Sequence, residues 1–310
     1  MKLLNIAQEY VALSVISPYT ESKVLSVAEK FDEKTGIASI VDISIDTLQV
    51  YKNDTLSRVR NVTYNGYLGY LRLLGEHALK EGYWAKNLFK KLAMAPKERL
   101  QPKVLPDEDI VRAIDYIRNH SMSFHPSWFW VKVIRFLYFT GVRRRQLVNI
   151  RWSHVDLDNQ LILLHVKGSK TYREWFIPLA DELVEDMKEL RLRSIAVVGR
   201  PLRGDDPLFN VCWFHSRYRA NEYDPTLMRS TSVTDFFKRL YKHSGIRLGA
   251  HRFRHTIATQ LCNPSDGKPD IYAVQELLGH TSIQTTRGYV LPDPTRIAKQ
   301  VNNQYFPIQK

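Results

Sequence analysis

Three prolines, Pro96, Pro102 and Pro106, fall within eleven residues, and they constrain the fold more than any other feature of this chain. Each lacks an amide proton and steers the residue before it away from the α-region. No helix is expected to run through such a stretch, so the chain should divide there. A length of 310 residues suits roughly two domains with ample material for buried cores. We therefore place a first unit at 1–95, a linker at 96–106, a second unit at 107–292 and a tail at 293–310.

The first unit reads as helical throughout. Met1-Lys2-Leu3-Leu4 imitates the start of a signal peptide, but Gln8 and Glu9 interrupt the apolar run, so a helix is expected. Ser17-Pro18 opens a helix through Val24, Leu25, Val27, Ala28 and Phe31, and another starts near Ser44 to Asp46 and carries Leu48 and Tyr51. The clearest periodicity is Tyr64, Tyr67, Leu68, Leu71, Leu74 and Ala78, ended by Gly82. Gly66, Gly69 and Gly75 inside it each cost about 1 kcal/mol relative to Ala. That cost suggests close approach of a neighbouring backbone.

Beyond the linker, Asp107 and Glu108 place negative charge at a helix start, where the macrodipole favours it. Helices follow to about Ile150. Phe129 to Phe139 is apolar but carries Lys132 and Arg135, and it is too short to cross a bilayer. Leu161 to Val166 reads as a strand, Gly168-Ser169 as a turn, and Glu174 to Pro178 as the returning strand. Residues 200–229 lack periodicity and read as surface loop with a short helix. The expected fold class is mainly α with a small antiparallel β-sheet.

Lysine and arginine number 45 against 32 acidic residues, a net charge of +13. Such a field favours a polyanion, most simply nucleic acid. Lys86, Lys90, Lys91, Lys97, Arg99 and Lys103 gather around the linker against Glu98. They read as a solvated charge run or, as favoured here, a basic strap between two DNA-binding lobes. Cys212 and Cys262 are far apart and form no CxxC, so neither a disulfide framework nor a zinc site is indicated and a reducing cytoplasm fits.

Against this background a few polar residues stand out. Arg143 ends Thr140-Gly141-Val142-Arg143, Lys167 sits in a Lys-Gly-Ser-Lys turn, and His251 and Arg254 form His-x-x-Arg. His280 follows Leu277-Leu278-Gly279, and Tyr289 lies nine positions on. Together they can attack a phosphodiester without metal. The guanidiniums of Arg143 and Arg254 can each donate parallel hydrogen bonds to phosphate oxygens. Lys167, at a turn tip, can deliver a proton to a leaving oxygen. His251 lies on the same helical face as Arg254 and can exchange a proton with the phenol or the phosphate. His280, behind a glycine cap, can donate to a phosphate oxygen. Tyr289 is the candidate nucleophile, because a phenol becomes competent when held in a cationic pocket. His251 and His255 also have the i, i+4 spacing of zinc ligands, but no Glu follows His251 and nearby arginines would repel a cation. His255 is expected to be a packed histidine.

These residues resemble the boxes of the tyrosine recombinase (phage integrase) family. The match covers about 105–292 and, more weakly, the helical unit before it. Thr140-Gly141-Val142-Arg143 resembles the first arginine box, and Lys167 falls where the family's β-hairpin lysine is expected. Asp206-Pro207-Leu208-Phe209 resembles the stretch ahead of the second box. His251 to Thr259 resembles the His-x-x-Arg box, and Leu277 to Thr286 with Tyr289 resembles the last box. The resemblance implies a two-lobed DNA clamp, with a helical core-binding domain of the SAM-like kind followed by a catalytic domain. It implies that Arg143 and Arg254 bind the scissile phosphate and that His251 and His280 assist. Lys167 would protonate the 5′-hydroxyl, and Tyr289 would form a 3′-phosphotyrosine. It further implies site-specific recombination of double-stranded DNA by a homo-tetramer through a Holliday junction. It implies that neither cofactor, metal nor membrane is involved, with an accessory DNA-bending or directionality protein as an optional partner. The setting implied is the nucleoid-associated cytoplasm of a bacterium or archaeon, with a prophage or other mobile element as the source.

The sequence departs from the family's pattern at Gln146, where an acidic residue is usual, and at Arg144, Arg145, His154 and Arg252. The tail carries Ile297, Val301, Tyr305, Phe306 and Ile308. It is expected to pack within the chain or, as in the family, on a neighbouring protomer. Two other functions stay open on the residues alone: a DNA-binding regulator that does not cut, and a type IB topoisomerase.

Overall fold

A computed structural model describes residues 1–96, 104–165, 173–214, 228–264 and 269–291. The chain forms two compact units, Met1–Leu100 and Gln101–Lys310.

The first unit is built on four helices: α1 (Leu3–Leu13), α2 (Pro18–Thr35), α3 (Ile45–Arg58) and α4 (Asn61–Lys80). Local signals set their ends. Ser17 accepts from the Thr20 amide with Pro18 in the first turn, Ser44 accepts from the Thr47 amide, and Gly36 ends α2 in the left-handed region at φ 64°. The start of α1 has no side-chain cap of its own. The Asp32 carboxylate on α2 fills that role, accepting the amides of Leu3 and Leu4 at 3.3 and 2.8 Å. Leu3, Ile6, Val24, Phe31, Leu48, Tyr64 and Leu71 form the core. The glycines of α4 differ from expectation. A Cβ on Gly75 would lie 2.3 Å from the side-chain oxygen of buried Asn87, so Gly75 makes room for a side chain rather than a backbone. Gly66 and Gly69 face open space, and nothing in the structure explains them.

The second unit opens with α5 (Asp107–Asn119), whose first turn holds Asp107, Glu108 and Asp109. It continues with α6 (Ser127–Thr140) and α7 (Arg144–Asn149), then three strands, β1 (Val155–Asp156), β2 (Leu161–Leu164) and β3 (Trp175–Pro178). The sheet is antiparallel in the order β1-β2-β3, with Ile162 opposite Ile177 and Leu164 opposite Trp175. Those four residues are buried and fix the register, since a one-residue slip would turn them to the other face. Strand β1 has two residues, too few to show alternation in the sequence. Val166, Lys167, Gly168 and Ser169 lie outside the described residues.

Five helices complete the described part: α8 (Asp181–Val198), α9 (Ser230–Ser244), α10 (Ala250–Cys262), α11 (Ile271–Leu278) and α12 (Ile283–Arg287). Helix α6 is the centre of the core, with Phe129, Val133, Ile134, Phe136 and Leu137 fully buried. Its charge is buried with partners, since Lys132 pairs with Asp186 at 3.1 Å and Glu189 at 2.5 Å. Trp130 stacks on Phe236 of α9 at 4.1 Å. Residues 200–229 are not simply surface. Leu208 and Phe209 are fully buried, and the Leu208 amide donates to Ile150 at 2.9 Å, while 215–227 lie outside the described residues. Among the described residues no helix is long and apolar enough to cross a membrane.

Candidate functional site

Two glycines bring the polar residues together. Gly141 ends α6 at φ 59°, and a Cβ there would lie 2.6 Å from Ile257 on α10. Gly279 ends α11 at φ 60°, and a Cβ there would lie 2.4 Å from the Trp175 ring on β3. Both positions need the left-handed region and the missing side chain. Arg143 and His280 follow one or two residues later, so close helix packing delivers both groups to one place.

Arg254 is the hub. It is 3% exposed, and its guanidinium donates to the carbonyl of Gly141 at 3.1 Å and of Leu278 at 2.6 Å. It therefore ties together the C-terminal ends of α6 and α11, where free carbonyls and the macrodipole favour a cation. Burial, and then the Arg143 charge, push its pKa down to about 9, and it is still charged at neutral pH.

Arg143 stands just before α7 and is held by Gln146, whose side-chain oxygen accepts the Arg143 amide at 2.8 Å. Its guanidinium is placed differently from that of Arg254. Nη1 is buried and has no hydrogen-bond partner, and burial holds the group below the ordinary arginine range. Among the described residues neither arginine forms an ion pair with a carboxylate.

The imidazoles and the phenol gather around these two charges. His280 is 5% exposed, and its Nδ1 lies 2.9 Å from the Thr286 hydroxyl. Burial, then Arg254, Arg143 and His255, push it down to about 4, so it is neutral at physiological pH. Tyr289 is buried, its ring nearly parallel to His280 with centroids 6.0 Å apart. Burial pushes the phenol up, while Arg254 and Arg143 pull it back towards ionisation. His251 is exposed, and burial of part of its ring together with Arg254 and Arg143 holds its pKa below the usual histidine value.

The structure thus brings Arg143, His251, Arg254, His280 and Tyr289 to one centre, and Lys167 lies outside the described residues. Three contributors escaped sequence reasoning. His255 is not merely packed: it reaches His251 at 2.8 Å, and its ring centroid lies 5.3 Å from that of Tyr289. Thr286 is fully buried against His280. Asn263 anchors the nucleophile's segment, donating to the Tyr289 carbonyl at 2.9 Å and accepting the Leu291 amide at 2.8 Å. Only the i, i+4 spacing of His255 offered a signal.

The residues that depart from the family's pattern have local surroundings of their own. Arg144 turns to Thr234 on α9, and Arg145 is exposed, so neither crowds the arginine pair. Arg252 donates to the Arg247 carbonyl. His154 accepts the Arg151 amide at 3.2 Å and stacks on His165. Gln146 keeps the backbone contact, but its side-chain nitrogen is buried without a partner.

Fold and site define a class: a mainly helical protein whose second unit presents one buried and one half-buried guanidinium, three imidazoles and a phenol beside a small antiparallel sheet. The sequence profile of the phage integrase family matches residues 103–296. The chain belongs to that family. A Pseudomonas syringae protein provisionally named tyrosine recombinase XerC is 28% identical over 98% of this chain and 64% of its own length. A Pseudomonas aeruginosa protein of the same provisional name is 31% identical over 74% of this chain and 54% of its own length. The chain thus spans less than two thirds of these relatives. Among solved structures, the Tn1549 transposon integrase in complex with transposon right end DNA shares the fold, with a TM-score of 0.73 at 16% identity over 97% of this chain and 98% of that one.

Proposed function

We propose that the chain is a site-specific DNA recombinase that cuts and rejoins double-stranded DNA through a 3′-phosphotyrosine, working as a homo-tetramer. The observation that carries this reading is the buried, unpaired Nη1 of Arg143 beside Arg254, with the Tyr289 phenol in the field of both. A buried cation without a counter-charge is costly unless a ligand supplies one. The dianionic, five-coordinate phosphorus of a phosphodiester under attack fits that need, because charge grows where the donors already point.

In this mechanism Arg143 and Arg254 hold the non-bridging oxygens. The Tyr289 oxygen attacks phosphorus as its proton passes to solvent, helped by the cationic surroundings. His280 is neutral and acts as a hydrogen-bond donor rather than a proton source, with Nε2 available because Nδ1 engages Thr286. His251 donates to the phosphate from the other side. The bond from phosphorus to the 5′-oxygen breaks, and Lys167 supplies that oxygen's proton. A 5′-hydroxyl from a partner strand then attacks the phosphotyrosine and releases Tyr289. One phosphoester bond is exchanged for another at each step, so no external energy source is required. The intact Arg-His-Tyr set supports an enzyme over a regulator that only binds DNA. The cytoplasm of a bacterial or archaeal cell, with a mobile element as the source of the gene, suits this activity.

DNA binding should be dominated by phosphate contacts. Affinity for duplex DNA is expected to fall on the order of 10³-fold or more between about 50 and 200 mM salt, as counterion release requires. Fluorescence anisotropy across a salt series measures this, and a flat response would count against a DNA-binding role.

A further inference from the structure

His255 has no task in the mechanism, yet its geometry is specific. Its Nε2 lies 2.8 Å from Nε2 of His251, one helical turn away on α10. Its Nδ1 is buried and meets no hydrogen-bond partner. A contact of 2.8 Å between two ring nitrogens holds one proton, because two N–H groups would clash and two lone pairs would repel. One imidazole must donate and the other accept.

The buried Nδ1 decides which. If His251 donated, His255 would accept on Nε2 and carry its own proton on Nδ1, where nothing accepts it. Buried N–H groups without acceptors are rare because desolvation is not repaid. A cationic pair has the same fault, since adding a proton to either ring also puts one on His255 Nδ1. Arg143, Arg254 and His280 face the pair, and Tyr289 packs against His255, so among the described residues the surroundings add positive charge and no carboxylate. In the remaining arrangement His255 donates from Nε2, its Nδ1 is a bare lone pair, and the single proton of His251 resides on Nδ1.

We propose that His255 is a positioning residue that donates to His251 and fixes it as the Nδ1–H tautomer, leaving that N–H as the donor to the scissile phosphate. The last clause rests on the recombinase reading, whereas the tautomer does not.

The test uses the full chain with ¹⁵N-labelled histidine. Long-range ¹H–¹⁵N spectra report which nitrogen of each ring is protonated, and loss of a signal set in His251→Asn assigns His251. Wild type should show His251 protonated on Nδ1 and bare on Nε2. In His255→Phe the Nε2–H form should appear, and in His255→Gln, whose amide can donate from nearly the same place, the Nδ1–H form should return. The rate of covalent DNA attachment should fall on the order of 10²-fold in His255→Phe, as for loss of a proton-handling group, and recover by about tenfold in His255→Gln. An Nε2–H tautomer for wild-type His251 would overturn the proposal. So would an unchanged tautomer and rate in a folded His255→Phe. Should His255→Phe not fold, the wild-type and His255→Gln spectra still decide the matter. The Nδ1–H tautomer with no DNA attachment by wild type would keep the histidine assignment and remove the recombinase reading instead.

Discussion

Replacing Arg143 with Met is expected to reduce strand cleavage on the order of 10³-fold, as for loss of a donor aimed at developing charge, without destabilising the protein. The two halves of this prediction have one cause. Nη1 of Arg143 is buried without a partner, and the neighbouring charge is another arginine. The half-buried guanidinium therefore loses part of its hydration and gains no counter-charge until a phosphate arrives. Met keeps the unbranched stem and removes the charge, so the second unit should unfold at the same or higher denaturant, with a gain of about 1 kcal/mol. Urea denaturation followed by tryptophan fluorescence measures stability, and gel-resolved covalent attachment measures cleavage. A loss of more than about 2 kcal/mol, the scale of a buried hydrogen bond to a charge, would mean that Arg143 is a structural tie and not a phosphate donor.

Arg254→Ala should behave in the opposite way on stability and the same way on cleavage. This guanidinium is already employed, holding the carbonyls of Gly141 and Leu278 at the ends of two helices. Its removal leaves both carbonyls buried without those donors and opens a cavity, at a cost of roughly 2–5 kcal/mol partly offset by relief of repulsion with Arg143. Cleavage should vanish, since the phosphate loses one guanidinium and the geometry that places Gly141 and Gly279 is loosened. Arg254→Lys should recover little of either, because one ammonium cannot span two carbonyls and still present a donor fork. The same denaturation and attachment assays apply. Unchanged stability in Arg254→Ala would show that the helix ends are held by something else.

Most of the architecture was legible because its signals are local. Ser17 and Ser44 mark helix starts through their side-chain caps, Gly82 marks a helix end through its left-handed backbone, and Leu161 to Leu164 is the short apolar run of a strand. Gly279 before His280 announced a helix end that the structure confirms at φ 60°. The candidate polar residues stood out by chemistry and order. Contacts that depend on distant parts of the chain were not legible. Nothing in His-x-x-Arg says that Arg254 reaches back to Gly141 and forward to Leu278, or that Asn263 will clasp the segment of Tyr289. The sequence does not separate packing from hydrogen bonding at His255, because i, i+4 spacing is shared by both kinds of pair. The burial of Leu208 and Phe209 is hidden in the sequence because a buried loop has no periodicity to announce it.

The central claim is that Tyr289 becomes covalently joined to DNA at a defined site. Wild type and Tyr289→Phe would be expressed in the source organism, the cells lysed in strong detergent, the protein captured and any attached DNA sequenced. Attached DNA concentrated at one or two loci for wild type, and absent for Tyr289→Phe, is the predicted result. Equal attachment by both proteins would contradict the account, because the phenol could not then be the nucleophile around which Arg143, Arg254, His251 and His280 are arranged.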